Sequence, residues 1–401
     1  MSREPAPQTP VMVCFGTRPE VIKLAPVVSA LHAHPRLRPV VVATAQHREM
    51  LDQALATHQI VPDIDLGLMR TGQSIDGLAA RAMETLGDIV RCERPAAMVV
   101  QGDTTTALCA ALVAFWSRVP VAHVEAGLRT GDIASPFPEE ANRRGIATVA
   151  RWHFCPTDHA ARNLRREGVP KADVHVTGNT VVDALQGILL QGGEAHRLPV
   201  RTRSRRLLVT MHRRESQGDV QRALLRMLVR VAVERDVEII LPVHPNPAVH
   251  DVVIAETAGR EGIHLFEPVE YATFVQLMRS SDLILTDSGG MQEEAPALGV
   301  PVLVMRETTE RPEGIEAGCV RLCGTDPHRV ETALLEVLDD ARIAAAMTAS
   351  PHPYGDGDAA VRIVDRLAHD LLPPPPPLVE SLPESHLDDL TALDLIPTGA
   401  I

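Results

Sequence analysis

Residues 11–43 carry the pattern that decides the fold, VMVCFGTRPEVIKLAPVVSALHAHPRLRPVVVA. The stretch opens with a short apolar run, Val11–Phe15, and passes through a polar turn into a longer segment with helical spacing that begins near Pro19. It ends in a second apolar run, Arg38–Ala43. A strand, a covering helix and another strand in this order indicate a βαβ unit with parallel strands.

The same pattern repeats along the chain. In the first half the predicted strands are Val11–Phe15, Arg38–Ala43, Ala96–Val100, Val119–Val124, His153–Pro156 and Val174–Thr177, and helices are expected to begin near Pro19, Arg48, Ser74, Thr104 and Pro138. In the second half the predicted strands are Leu207–Met211, Val237–Val243, Ile263–Phe266, Leu283–Thr286 and Val300–Met305. Two series of this kind predict an α/β protein with two doubly wound, Rossmann-like domains.

The 401 residues exceed the usual size of one domain, which agrees with two series. The predicted division is a flexible lead at 1–10, an N-terminal domain at 11–190, a linker at 191–206, a C-terminal domain at 207–350, a helix at 351–372 that packs back on the N-terminal domain, and a tail at 373–401. The tail opens with Pro373–Pro377 and is acidic, so it is predicted to be disordered.

Charge and composition exclude several classes of protein. A net charge of −13 disfavours a nucleic-acid partner, since phosphate binding needs clustered Lys and Arg. No apolar stretch approaches the roughly 20 residues of a membrane helix, so no membrane association and a cytoplasmic location are expected. No G-x-G-x-x-G follows the first strand, no P-loop motif occurs, and the histidines and cysteines show no paired ligand spacing, so no cofactor and no metal are predicted.

Carboxylates follow two predicted strands, and another opens a helix. Asp103 follows Ala96–Val100, Glu125 directly follows Val119–Val124, and Glu139 lies at the predicted helix start after Pro138. Ligands of open α/β sheets bind at the carboxyl ends of the strands, which favours a catalytic role. Asp103 could instead cap a helix, and Glu139 could be a first-turn carboxylate favoured by the helix dipole.

The second half carries the stronger phosphate signal. Leu283–Thr286 leads into Asp287, Ser288, Gly289 and Gly290 at a helix start, where exposed amides favour an anion such as a diphosphate. Glu294 follows one turn later, a position suited to accepting hydrogen bonds from ribose hydroxyls.

Histidines and a lysine complete the candidates. His212 and His244 each follow a strand, and either could be structural. Lys23 is one of two lysines in a chain that otherwise uses arginine, which suggests a point charge at a helix start, although an incidental surface lysine is the alternative.

Together the motifs resemble the non-hydrolysing UDP-N-acetylglucosamine 2-epimerases, which have a two-domain fold of the glycosyltransferase-B type with the domains facing across a cleft. The matching motifs, in order, are GTRPEVIK (16–23), QGDTTT (101–106), HVEAGLRT (123–130), SPFPEEANR (135–143), TGNTVVD (177–183), HRRES (212–216), TDSGGMQEE (286–294) and ETTERPE (307–313). Eight motifs in one order make the resemblance highly specific.

The resemblance implies reversible epimerisation at C2 of UDP-GlcNAc, giving UDP-ManNAc, through elimination and re-addition of UDP. It assigns catalytic roles to Asp103, Glu125, Glu139 and His212. It assigns UDP-sugar binding to Arg18, Lys23, Arg143, Phe274, Ser288, Gly289, Gly290, Glu294 and Arg311, to which the strand-end position of His244 adds a further candidate. It also suggests a homodimer, and in some bacterial relatives the segment matching 45–49 binds a second UDP-GlcNAc as an activator.

Three alternatives remain at this point. A glycosyltransferase of the same fold would share the nucleotide site but would need an acceptor pocket. A hydrolysing epimerase would release free ManNAc. A catalytically silent UDP-sugar sensor would bind without turnover.

Overall fold

The computed structural model describes residues 8–45, 48–70, 72–191, 198–211, 218–243, 247–267 and 269–373, without the side chains of 49, 247 and 248. It contains two entirely parallel sheets. The first comprises β1 (Thr9–Phe15), β2 (Leu37–Ala43), β3 (Ile64–Asp65), β4 (Ala97–Gln101), β5 (Val121–Val124), β6 (Ala150–Cys155) and β7 (Val174–Val176). The second comprises β8 (Arg205–Thr210), β9 (Val237–Pro242), β10 (Ile263–Phe266), β11 (Leu283–Thr286), β12 (Val302–Val304) and β13 (Val320–Leu322).

Helices connect the strands in both halves. Those of the first half are α1 (Arg18–Ala33), α2 (Arg48–Thr57), α3 (Ile75–Glu93), α4 (Thr105–Trp116), α5 (Glu139–Val149), α6 (Asp158–Arg166) and α7 (Thr180–Gln191), with a 3-10 turn at Lys171–Asp173. Those of the second half are α8 (Asp219–Glu234), α9 (Pro247–Thr257), α10 (Tyr271–Arg279), α11 (Met291–Ala297), α12 (Pro312–Ala317), α13 (Pro327–Asp339), α14 (Ala341–Ala349) and α15 (Ala359–Leu371). No described helix is long and apolar enough to span a bilayer.

Local chemistry sets where several helices begin. Thr17 and Glu20 form a reciprocal capping box at the start of α1. Ser74, Thr104 and Thr157 each accept a hydrogen bond from the backbone N–H three residues later, as N-cap residues do. These polar residues therefore stop each turn and start the helix that covers the sheet.

The strand order brings the candidate residues together. The first sheet runs β3-β2-β1-β4-β5-β6-β7 and the second β10-β9-β8-β11-β12-β13, so the direction of winding reverses between β1 and β4 and between β8 and β11. Crevices form at such switch points, outside the carboxyl ends of the strands. The predicted doubly wound α/β fold is confirmed in both halves.

Apolar packing covers both faces of each sheet and joins the halves. Val13 and Phe15 point into one cluster of the first sheet, and Met12 and Cys14 into another. Ile22 of α1 packs in the same cluster as Leu208 of β8 and Val302 of β12. The two halves therefore share a buried apolar contact.

The last described helix returns to the first half. On α15, Ile363, Val364 and Leu367 are buried in a cluster with β1 and α1. The indole N–H of Trp152 in β6 donates to the carboxylate of Asp370 at 2.6 Å. Both contacts place α15 against the first sheet.

Two strands differ from the sequence prediction. The sequence pattern did not predict β3, which has two residues, or β13, which has three. Elements this short present too few residues for alternation to be recognised. In addition, α7 extends to Gln191 and β8 begins at Arg205, so the first residue and the last two residues of the predicted linker at 191–206 belong to these elements.

A candidate active site between the two sheets

Glu125 lies at the centre of the candidate site. It follows β5 directly and is almost fully buried. The ammonium of Lys23 forms an ion pair with its carboxylate, and the side-chain amide of Gln101 donates to the same oxygen at 2.6 Å. Its other oxygen lies 3.3 Å from the guanidinium of Arg311, which belongs to the second half of the chain. Glu125 therefore links the two halves.

These cations hold Glu125 in its ionised form. Burial alone would raise the pKa of the carboxyl, but the charges of Lys23 and Arg311 outweigh burial and lower the pKa below its usual value. Burial likewise lowers the pKa of Lys23, but the nearby charges of Glu125 and Glu293 raise it overall. Both partners are therefore charged at neutral pH.

Arg311 is bound by carboxylates on several sides. Its Nε donates to Glu293 at 2.6 Å, and one of its terminal nitrogens forms an ion pair with Glu310. A Cβ atom added at Gly289 would lie 2.9 Å from the guanidinium, so the absence of a side chain at Gly289 lets the chain pass close to it. Arg311 is thus held in one position at the edge of the second sheet.

Asp103 does not cap the helix that follows it. Thr104 is the N-cap of α4, whereas the carboxylate of Asp103 forms an ion pair with Arg143 of α5. The side-chain amide of Asn142 donates to the backbone carbonyl of Asp103 at 2.8 Å. Burial raises the pKa of Asp103, Arg143 opposes this, and the charges of Glu125 and Glu139 add to the rise. A raised pKa suits a carboxyl that exchanges protons near neutral pH.

Glu139 is the first residue of α5, so it does occupy a first-turn position, where the helix dipole favours a carboxylate. Its Oε2 atom is buried and accepts no hydrogen bond from any described residue. Glu140 differs, because it forms ion pairs with Arg143 and Arg144 at 3.2 and 3.0 Å. Of the two neighbouring acids, Glu139 is the one with an unsatisfied oxygen at the candidate site.

The turn after β1 carries Arg18 and is fixed by Glu20. The carboxylate of Glu20 accepts hydrogen bonds from the N–H groups of Gly16 and Thr17 at 3.0 and 2.8 Å, and from the hydroxyl of Thr104 at 2.7 Å. The turns that follow β1 and β4, on either side of the switch point, are therefore tied together. Arg18 lies half-buried at the start of α1.

The edge of the second sheet carries the predicted nucleotide residues. Ser288, Gly289 and Gly290 lie half-buried between β11 and α11. One oxygen of Glu294 accepts a hydrogen bond from the hydroxyl of Tyr271 at 3.0 Å. Phe274, half-buried on α10, packs against the apolar cluster of this sheet.

Comparison with known proteins identifies the family. Residues 29–368 match the family described as UDP-N-acetylglucosamine 2-epimerase. The chain belongs to that family. It is 47% identical over 367 residues to the UDP-N-acetylglucosamine 2-epimerase of Salmonella typhimurium, covering 89% of this chain and 98% of the relative.

Solved structures agree with the family assignment. The UDP-GlcNAc 2-epimerase of Neisseria meningitidis bound to UDP-GlcNAc superposes with a TM-score of 0.86 at 40% identity, covering 90% of this chain and 100% of that one. A glycosyltransferase of kitacinnamycin, 14% identical with a TM-score of 0.64, shares the fold alone. The predicted two-domain fold of the glycosyltransferase-B type is confirmed, and the epimerase family is favoured over the glycosyltransferase alternative.

The geometry brings together most residues that the sequence singled out for this epimerase family. Lys23, Glu125 and Arg311 are in direct contact, and Asp103 contacts Arg143. His212 and His244 lie outside the described residues, as do Gln46 and His47 of the segment compared with the activator site. Among the described residues, no group of three or more His, Cys, Asp or Glu could hold a metal ion.

Sequence reasoning missed three residues that contact the site. Gln101 donates to Glu125, and Asn179 donates to Glu293, which in turn binds Arg311. All three lie inside motifs that carry the family resemblance, so the motifs did indicate these segments of the chain. The pairings themselves join residues 18, 24 and 114 positions apart on different elements, which a local pattern cannot reveal.

Proposed function

We propose that this chain interconverts UDP-GlcNAc and UDP-ManNAc by inverting C2 through elimination and re-addition of UDP. The observation that carries the proposal is Glu125, a buried carboxylate held between Lys23 of one half and Arg311 of the other. A single carboxylate in contact with cations from both sheet edges supports proton chemistry beside a leaving diphosphate. Membership of the epimerase family supports the identity of the sugar nucleotide.

The proposed roles follow the charge of each group. Asp103, Glu125 and Glu139 supply carboxyl groups that remove and return the C2 proton on opposite faces of the sugar, together with His212. Departure of UDP from C1 allows proton loss to accompany bond cleavage. Without that departure the C2 proton is not acidic enough to be removed.

The remaining candidates bind the nucleotide. Arg18, Lys23 and Arg311 offset the charge of the diphosphate, and Ser288, Gly289 and Gly290 offer backbone amides to it. Glu294 accepts hydrogen bonds from the ribose, with one oxygen held by Tyr271. Phe274, Arg143 and His244 complete the contacts to the UDP-sugar.

The reaction uses no added cofactor in this proposal, and the protein acts as a cytoplasmic homodimer without a nucleic-acid or membrane partner. Phe115 and Trp116, at the end of α4, support the dimer because they are 53% and 63% exposed in a chain with only two tryptophans. Adjacent exposed aromatic side chains are typical of protein interfaces.

Product analysis tests the proposal. Purified protein incubated with UDP-GlcNAc, with no metal or NAD added, is expected to yield a mixture of UDP-GlcNAc and UDP-ManNAc by proton NMR. Accumulation of free ManNAc and UDP would point to the hydrolysing alternative. Tight binding of UDP-GlcNAc with no change in the sugar would point to the sensor.

A further inference from the structure

Glu293 is a second buried carboxylate that contacts Arg311. It is fully buried at the start of α11, next to the predicted ribose ligand Glu294. One of its oxygens accepts a hydrogen bond from Nε of Arg311 at 2.6 Å, and the other accepts one from Nδ2 of Asn179 at 2.6 Å. Both oxygens of this carboxylate therefore have a donor.

Asn179 presents its amide to Glu293 in a fixed orientation. Its Oδ1 accepts a hydrogen bond from the backbone N–H of Val181 at 3.2 Å, which leaves Nδ2 to face Glu293. Its backbone N–H donates to the carbonyl of Tyr354 at 2.7 Å. Asn179 directly precedes α7 in the first half of the chain, whereas Glu293 belongs to the second half. The hydrogen bond between Asn179 and Glu293 therefore also joins the two halves.

The contact to Glu293 determines how the guanidinium of Arg311 is turned. A guanidinium is planar, with donors in a fixed fork, so fixing Nε at Glu293 fixes the direction of the terminal nitrogens. One of these faces Glu125 at 3.3 Å. The unbroken series Asn179–Glu293–Arg311–Glu125 starts in the first half, passes through the second and returns to the first.

We infer that Glu293 is a positioning residue for the reaction, which with Asn179 holds Arg311 in the orientation that faces Glu125 and the leaving diphosphate. The inference rests on the proposed function. In this role Glu293 does not contact the substrate. The direction of the hydrogen bond, from the amide of Asn179 to the carboxylate of Glu293, matters as much as the charge on Glu293.

Exchanging the donor and the acceptor between Asn179 and Glu293 tests this inference. Glu293→Gln can still accept from Arg311 through its oxygen, but its amide N–H group then faces the Nδ2 donor of Asn179. Asn179→Asp in the wild-type background sets two carboxylates against each other. In Asn179→Asp/Glu293→Gln the new aspartate accepts from Val181 and from the glutamine, and the net charge of the pair is unchanged.

The measurements are kcat, KM, the melting temperature and the Kd of UDP by calorimetry, for the wild type, both single variants and the double variant. Glu316→Gln, an exposed glutamate of α12, is the matched control. Each single variant is expected to lose about tenfold or more in kcat and in UDP affinity, since small misplacements of a positioned group have effects of that order. The double variant is expected to recover most of both, and Glu316→Gln is expected to stay within about twofold of the wild type.

Three results would overturn the inference. Wild-type kcat and UDP affinity in Glu293→Gln would show that Arg311 needs no such support. A double variant that folds but does no better than the single variants would show that the polarity of the pair is irrelevant. A loss in kcat that is no larger than the loss of folded protein would assign Glu293 a purely structural role. Failure of the proposed function is distinguished separately, because the wild type would then bind UDP without turnover.

Discussion

At the scale of single residues, the backbone of Glu125 adopts a conformation that non-glycine residues seldom take. Its φ angle is +63°, in the left-handed region. Residues held in such conformations occur preferentially at functional sites, where the surrounding contacts maintain them. The ion pair with Lys23 and the hydrogen bond from Gln101 provide such contacts here.

Glu125→Gln is therefore expected to remove a reacting carboxylate without changing the size of the side chain. The expected loss in kcat is about 10²–10⁴-fold, the usual contribution of a general acid or base. Lys23 would also lose its buried partner, which lowers the free energy of unfolding by about 3–5 kcal/mol. Steady-state kinetics and chemical denaturation measure the two effects, with Glu316→Gln as the exposed control. A kcat within tenfold of the wild type would remove Glu125 from the mechanism.

Arg143→Gln is expected to change the pH dependence of the reaction. Burial raises the pKa of Asp103 and the charge of Arg143 opposes this, so removal of that charge raises the pKa of Asp103 further. The corresponding limb of the kcat/KM profile should move to higher pH, whether the acid or the carboxylate form is active.

Arg144→Gln is the control for this shift, since Arg144 neighbours Arg143 but forms its ion pair with Glu140. Its profile should match that of the wild type. A limb that stays in place or moves to lower pH in Arg143→Gln would show that Asp103 does not control it.

At the scale of single elements, the turn after β1 lies in close contact with residues that follow β2 and β4. A Cβ atom at Gly16 would collide with the hydroxyl oxygens of Thr44 and Thr106. Gly187, within α7, has no such neighbour within 4 Å. The two glycines therefore make a matched pair for substitution by alanine.

Gly16→Ala is expected to destabilise the protein by about 1–3 kcal/mol, as overpacking does, and to lower activity because the turn carries Arg18. Gly187→Ala should be neutral or stabilise by up to about 1 kcal/mol. Thermal denaturation of both variants measures the difference. Equal stability of the two variants would contradict the close packing at Gly16.

The accuracy of the sequence predictions differs with the length of each element. Strands with long apolar runs, such as β1 and β9, were predicted to within a few residues, and the caps Ser74 and Thr104 indicated helix starts. The short strands β3 and β13 left no recognisable pattern. In the site, the contact between Lys23 and Glu125 could not be predicted, because it depends on the order of the strands in the sheet and no local pattern gives that order.

At the scale of the whole molecule, the two halves meet through both polar and apolar contacts. Glu125 reaches Arg311, Asn179 reaches Glu293, and Ile22 packs with the second sheet. Among the exposed large apolar side chains, Phe115 and Trp116 lie together on one face at the end of α4. This is the face assigned above to a second copy of the chain.

Trp116→Glu is expected to weaken the dimer, since burying an unpaired charge opposes association. Sedimentation should give a mass near 43.4 kDa for the variant and about twice that for the wild type. Val200→Glu, at a position 83% exposed in the predicted linker, is the control and should not change the mass. A Trp116→Glu variant with the wild-type mass would exclude this face from the interface.

Exchange of the C2 proton is the measurement that bears most closely on the proposed reaction. The purified enzyme is incubated with UDP-GlcNAc in deuterated water and followed by proton NMR. Deuterium is expected to enter at C2 as UDP-ManNAc forms, because the carboxyl groups that exchange protons with solvent also remove and return the C2 proton. UDP-ManNAc that retains the original proton at C2, or substrate that stays intact and undeuterated, would contradict it.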